Sequence, residues 1–122
     1  MAAALVVEDN KNFRKNFIRF MSSRFPTVVF KEAASGEQAM EELSRKPPDI
    51  VFMDIELPGE NGIETTKKIR EQYPQIFIVI LTSYNFAEYR DAAYQSGADR
   101  FLVKGTTRLE EIAATVESVI SD

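Results

Sequence analysis

Short apolar runs of strand length recur along the chain, and four of them stop at a group able to handle charge. Ala4-Leu5-Val6-Val7 ends in Glu8-Asp9, Ile50-Val51-Phe52-Met53 in Asp54, Ile76 to Leu81 in Thr82-Ser83, and Arg100-Phe101-Leu102-Val103 in Lys104. A further run, Val28 to Ala33, follows Pro26. Continuous apolar runs of this length read as strands buried on both faces. Between them the period becomes helical. Phe13, Phe17, Phe20 and Met21 share a face of a first helix beginning at Asn10. Ser35 with Gln38 reads as a capping box, and the helix it opens runs through Ala39, Met40 and Leu43 to a stop before Pro47-Pro48. After Pro58-Gly59, Asn61 offers a cap to a third helix carrying Ile63, Thr66, Ile69 and Tyr73. A fourth helix, weakly amphipathic, spans roughly Ala87 to Gln95 and is closed by Gly97. The last sets Leu109, Ile112, Ala113, Val116, Val119 and Ile120 against Glu110, Glu111 and Glu117.

Five strands alternating with five helices call for right-handed crossovers. The predicted fold is α/β, a doubly wound parallel sheet with helices on both faces. The 122 residues are enough for one domain with a real core, and no internal repeat or linker argues for a second. No apolar run approaches the roughly 18 residues of a membrane span. There is no cysteine and no histidine, which removes thiolate nucleophiles, Cys-based zinc sites, imidazole bases and every Ser-His or Cys-His triad. A net charge of −4 argues against a face for nucleic-acid phosphates. Any chemistry must come from carboxylates, hydroxyls, lysine and arginine.

In a parallel sheet the C-terminal strand ends lie on one edge, so Glu8, Asp9, Asp54, Thr82 and Lys104 are expected to converge there. Taken singly, each has a plainer reading. Asp9 could cap the first helix and Thr82 or Ser83 the fourth, Asp54 could make an Asx turn, and Lys104 could be a solvated lysine. Convergence is what caps do not explain. Three acids in one crevice repel unless a cation joins them, and Mg²⁺ suits one or two carboxylates with phosphate oxygens. With Lys104 and the Thr82 hydroxyl for the remaining oxygens, the chemistry inferred is phosphoryl transfer to an aspartate.

With those residues the sequence resembles the receiver domains of bacterial two-component response regulators, over essentially the whole chain from Ala4 to about Ile120. The resemblance implies a flavodoxin-like (βα)5 three-layer sandwich with strand order 2-1-3-4-5. It implies that Asp54 accepts phosphate from a sensor histidine kinase or phosphotransfer protein. Glu8, Asp9, Asp54 and the backbone carbonyl of Glu56 would hold Mg²⁺. Thr82 and Lys104 would bind phosphoryl oxygens, and Phe101 would be the switch aromatic that turns inward. The surface of the fourth helix, last strand and last helix would change state, dimerise or meet a partner, with Tyr84, Phe86, Tyr89 and Tyr94 crowding it. Glu56 and Tyr84 would set the lifetime of the phosphate.

Three departures from the family pattern stand out: Glu8-Asp9 in place of two aspartates, Phe101 in place of tyrosine, and Gly105 where many members have proline. The resemblance implies a cytoplasmic signalling domain rather than an enzyme, one that catalyses only its own phosphorylation and dephosphorylation and controls transcription through another domain or partner. Residues 1–122 are expected to be one such domain, the N-terminal part of a longer regulator. The alternative is a pseudo-receiver that binds partners without phosphorylation. A haloacid-dehalogenase-like phosphatase would need Asp-x-Asp-x-Thr where this chain has Asp54-Ile55-Glu56-Leu57-Pro58, and a flavodoxin-type FMN binder needs a phosphate loop after the first strand.

Overall fold

The structure is a computed structural model that describes residues 2–120. Five strands alternate with five helices: β1 (Ala3–Val7), α1 (Lys11–Arg24), β2 (Val29–Ala33), α2 (Gly36–Arg45), β3 (Ile50–Met53), α3 (Gly62–Gln72), β4 (Phe77–Thr82), α4 (Ala87–Ser96), β5 (Arg100–Val103) and α5 (Leu109–Ile120). The strands form one parallel sheet in the order β2-β1-β3-β4-β5, the doubly wound order expected. Among the described residues no helix is long and apolar enough to cross a membrane.

Alternation along the inner strands divides the core into two layers. Leu5, Val7, Val51, Met53, Ile78 and Ile80 pack beneath α2, α3 and α4 with Leu43, Ile69 and Ala93. Ala4, Val6, Ile50, Phe52, Val79 and Leu81 face α1 and α5, meeting Phe17, Met21, Ile112 and Val116. Full burial of each large side chain contributes about 1.5–3 kcal/mol, so this double burial explains why the inner strands read as unbroken apolar runs. Edge strand β2 is mostly exposed and begins at Val29 rather than Val28. Leu109, expected on the buried side of α5, is instead 39% exposed, because it is the first residue of the helix and precedes the part lying on the sheet.

The caps follow local chemistry. Ser35 Oγ accepts from Gln38 N, while the Gln38 side chain accepts from Ala34 N, one residue earlier than a standard capping box. Asn61 accepts from Ile63 N and Glu64 N. Gly97 closes α4 at φ 112°, and its carbonyl accepts from Arg70 Nε and Nη2. Arg70 also donates to the carbonyls of Pro74 and Ile76 and to Asp99, so one side chain of α3 pins the C-terminal end of α4. The other end of α4 starts at Phe86 with no side-chain cap.

Thr66 belongs to the buried stripe of α3, but its hydroxyl is buried with no hydrogen-bond partner. An orphaned buried hydroxyl costs about 1–3 kcal/mol. Thr66→Val keeps the shape without the hydroxyl and should raise stability by about 1 kcal/mol in urea unfolding. A loss of stability would mean that the hydroxyl is bonded.

Candidate functional site

The sheet carries the acids to its edge by continuing its ladder one step past the strand ends. Val7 pairs with Met53, and just beyond them Glu8 N donates to Ala33 O (2.9 Å) and Asp54 N to Val7 O (3.1 Å). Beyond β4 and β5, Lys104 N donates to Thr82 O at 2.8 Å. Residues from four separate strand ends are therefore fixed by backbone bonds rather than by flexible loops.

Lys104 joins the two acids. Its ammonium donates to Glu8 Oε1 at 2.5 Å and to Asp54 Oδ2 at 2.9 Å. Glu8 is 3% exposed and Asp54 5%, so both carboxylates are nearly dry. Glu8 Oε2 accepts from Asn10 N, and Asp54 Oδ1 accepts from Glu56 N. The latter is the Asx turn foreseen as the plain reading of Asp54, and it leaves Oδ2 for the lysine. Burial pushes the Glu8 pKa above its ordinary value, against the opposing pull of Lys104. Burial also opposes the charge on Lys104, but the bonds to Glu8 and Asp54 outweigh it and raise the Lys104 pKa. Such a crevice is built to keep a cation between two acids.

Asp9 lies next to Glu8 but is exposed, and among the described residues no three carboxylates are grouped as a metal cluster. It is not the cap of α1 either, since Asn10 takes that role by accepting from Phe13 N. Thr82 is wholly buried and its hydroxyl accepts from Tyr84 N, so neither it nor Ser83 caps α4. Phe101 is already inside, 8% exposed, with the Arg90 guanidinium 5.3 Å from its ring centroid. The Glu56 carboxylate facing the Tyr84 hydroxyl holds that phenol above its ordinary pKa. Tyr84 stacks on Tyr89, while Phe86 (59%), Tyr89 (37%) and Tyr94 (45%) are exposed.

A divalent cation fits the donor chemistry of this edge. The side chains of Glu8, Asp9 and Asp54 offer only carboxylate oxygens, the hard donors that Mg²⁺ prefers, and two of them already share one positive charge.

Two neighbours of the site escaped the sequence reading. Arg14, 12% exposed in its side chain, donates Nη1 to Glu8 O at 2.7 Å and Nε to Glu32, tying the acidic turn to β2. Phe13 lies against Lys104. Their only signal in the sequence was a place in the first turn of the helix that follows the acidic pair.

Fold and site together define a class: a doubly wound domain whose carboxyl edge carries an acidic crevice closed by a lysine. The chain belongs to the response regulator receiver domain family, whose model matches residues 4–117. It is 33% identical over 111 residues to the uncharacterized transcriptional regulatory protein YhcZ of Bacillus subtilis, covering 91% of this chain and 51% of that protein. Identity to the response regulator GacA of Pseudomonas viridiflava is 30% over 114 residues, covering 93% and 53%. The chain thus spans about half the length of these curated relatives. Among solved structures, a LuxR-family two-component response regulator from Aurantimonas sp. SI85-9A1 matches with TM-score 0.88 and 29% identity, over 98% of this chain and 84% of that one. The response regulator TrrA of Thermotoga maritima, in complex with Mg²⁺-BeF, matches with TM-score 0.87 and 28% identity, over 98% and 100%. This is a receiver domain of a two-component response regulator, a signalling module rather than a classical enzyme.

Proposed function

We propose that Asp54 is the phosphoacceptor of a Mg²⁺-dependent phosphorelay. The observation that carries this is the buried Asp54 carboxylate, oriented by Glu56 N on one oxygen and by Lys104 on the other. One Asp54 oxygen attacks the phosphorus of a phosphohistidine on a sensor histidine kinase or phosphotransfer protein. The new O–P bond forms as the N–P bond breaks, and the electron pair stays with the imidazole. Glu8, Asp9, Asp54 and the Glu56 carbonyl would hold Mg²⁺, which when bound neutralises charge on the transferring group. Lys104 then shifts from carboxylate to phosphoryl oxygen, and the Thr82 hydroxyl donates to another.

The added charge draws Thr82 and Lys104 together, and the loop between β4 and α4 follows. Phe101, with Arg90 over its ring, ties that loop to the α4-β5-α5 surface, the proposed place of homodimer or output contact. Glu56 and Tyr84 stand in the path of an attacking water and set the lifetime of the phosphate. In this reading residues 1–122 are one cytoplasmic receiver domain that regulates transcription through an output domain or partner and touches no nucleic acid or membrane itself. The regulatory names of its relatives support that output. Nothing specific in the site favours the phosphorylation-independent alternative.

Intact mass after incubation with acetyl phosphate and Mg²⁺ should show one phosphoryl adduct on the unsubstituted protein and none on Asp54→Asn. Thr82→Ala should keep the adduct while the phosphorylation-dependent change at α4 disappears. Equal loss of both would overturn this division of roles.

A further inference from the structure

Lys104 has a third neighbour that neither chemistry nor charge requires. Its ammonium lies 4.2 Å from the centroid of the Phe13 ring, at cation–π distance. The ring is held firmly. Phe13 N is fixed by the Asn10 cap, the ring stacks on Phe17 at 5.9 Å and 12°, and Phe17 packs edge-on to Phe52 at 5.1 Å and 73°. Phe52 lies in β3, two residues before Asp54, so an aromatic row runs from the acceptor strand to the lysine. Packing alone would account for Phe17, which is buried. Phe13 packs against that core too, but it is only half-buried and also presents its ring to the Lys104 ammonium.

Resting on the phosphoacceptor reading above, we propose that Phe13 is a positioning residue, whose ring face holds the Lys104 ammonium over the crevice while its carboxylate partners are taken up by the reaction. Of the three neighbours, Glu8 and Asp54 are the two whose oxygens phosphorylation calls away. The ring is uncharged, changes no bond and sits on a capped helix. A lysine released by both acids without it has four rotatable bonds and open water to explore. With it, the ammonium stays within reach of an incoming phosphoryl oxygen.

The test separates the ring's charge distribution from its bulk. Phenylalanines carrying one, two and three fluorines at position 13 keep the shape and fold but weaken the negative face. Phosphoryl uptake from acetyl phosphate with Mg²⁺, read by intact mass, should slow stepwise across the series, by roughly 3- to 30-fold in all. Phe13→Leu should fall at its slow end, and Phe13→Tyr should stay near the unsubstituted rate. Independently of phosphorylation, the Lys104 Hε resonances should lie upfield under the ring current and move to ordinary values in Phe13→Leu. A rate that is flat across the fluorinated series, or Lys104 resonances unmoved by Phe13→Leu, overturns the role while leaving Asp54 as acceptor. No adduct on the unsubstituted protein would overturn the acceptor reading itself, and this role with it.

Discussion

Lys104→Met should lose about 3–5 kcal/mol of folding stability at pH 8, the scale of a buried ion pair broken from one side. Methionine keeps the length and apolar stem of lysine but leaves Glu8 and Asp54, with side chains 4% and 6% exposed, facing each other without a cation. The loss should depend on pH in a definite direction. Burial already raises the folded pKa of Glu8 above its ordinary value of 4.5, and removing Lys104 raises it further. A carboxyl whose folded pKa is raised contributes stability that is complete below its unfolded pKa and is lost as pH climbs through the folded one. The gap between variant and unsubstituted protein should therefore be smallest near pH 4.5 and widen with rising pH. Urea unfolding across that range is the measurement. A deficit of equal size at every pH would trace the loss to the packing of the new side chain instead of to uncompensated charge.

Gly62→Ala should also damage both fold and site. A Cβ on Gly62 would collide with the carbonyl oxygen of Asp54, and it would lie 2.8 Å from that carbonyl carbon and 2.9 Å from Ile55 Cα. These are backbone atoms of the acceptor's own turn, which Gly62 N ties down by donating to Ile55 O at 2.9 Å. Alanine improves helix propensity by about 1 kcal/mol, but overpacking against rigid backbone costs about 1–3 kcal/mol or more. A net loss of about 2 kcal/mol is expected. Phosphoryl uptake should fall at least about tenfold, since displacement of a reacting group by 1 Å can cost about 100-fold. Gly105→Ala is the control. Its Cβ would meet nothing within 4 Å, so only the strain of a φ of 84° is introduced. Equal rates for the two variants would show that the α3 N-terminus does not position Asp54.

What the sequence made legible was whatever depends on neighbours along the chain or on full burial. β3 and β4 stood out because both their faces are covered, so no polar position interrupts them. Asn61 and Ser35 were readable as caps because a cap bonds to amides two or three residues away. Asp9 and Asn10 show the limit of that rule: both are good caps by type, and only the path of the chain decides that Asn10 takes the role. Convergence of Glu8, Asp54, Thr82 and Lys104 followed from parallel strands alone. What was not legible depends on where long side chains reach across elements. Arg14 on the Glu8 carbonyl, Arg70 on Gly97 and Lys104 against Phe13 each join separate elements, and no local pattern fixes such a reach. The edge strand and the first turn of α5 were read less well for a related reason, since partial exposure blurs the period.

The bond between Lys104 and Glu8 joins residues 96 positions apart in a chain of 122. A polypeptide emerging from the ribosome presents its two acids long before the lysine that sits between them exists. Until β5 has been synthesised and added to the sheet, no fragment holds Glu8, Asp54, Thr82 and Lys104 together. On the phosphoacceptor reading, a chain that stops short of β5 lacks Lys104 and stays silent, so competence to receive a signal arrives only with the last strand of this domain.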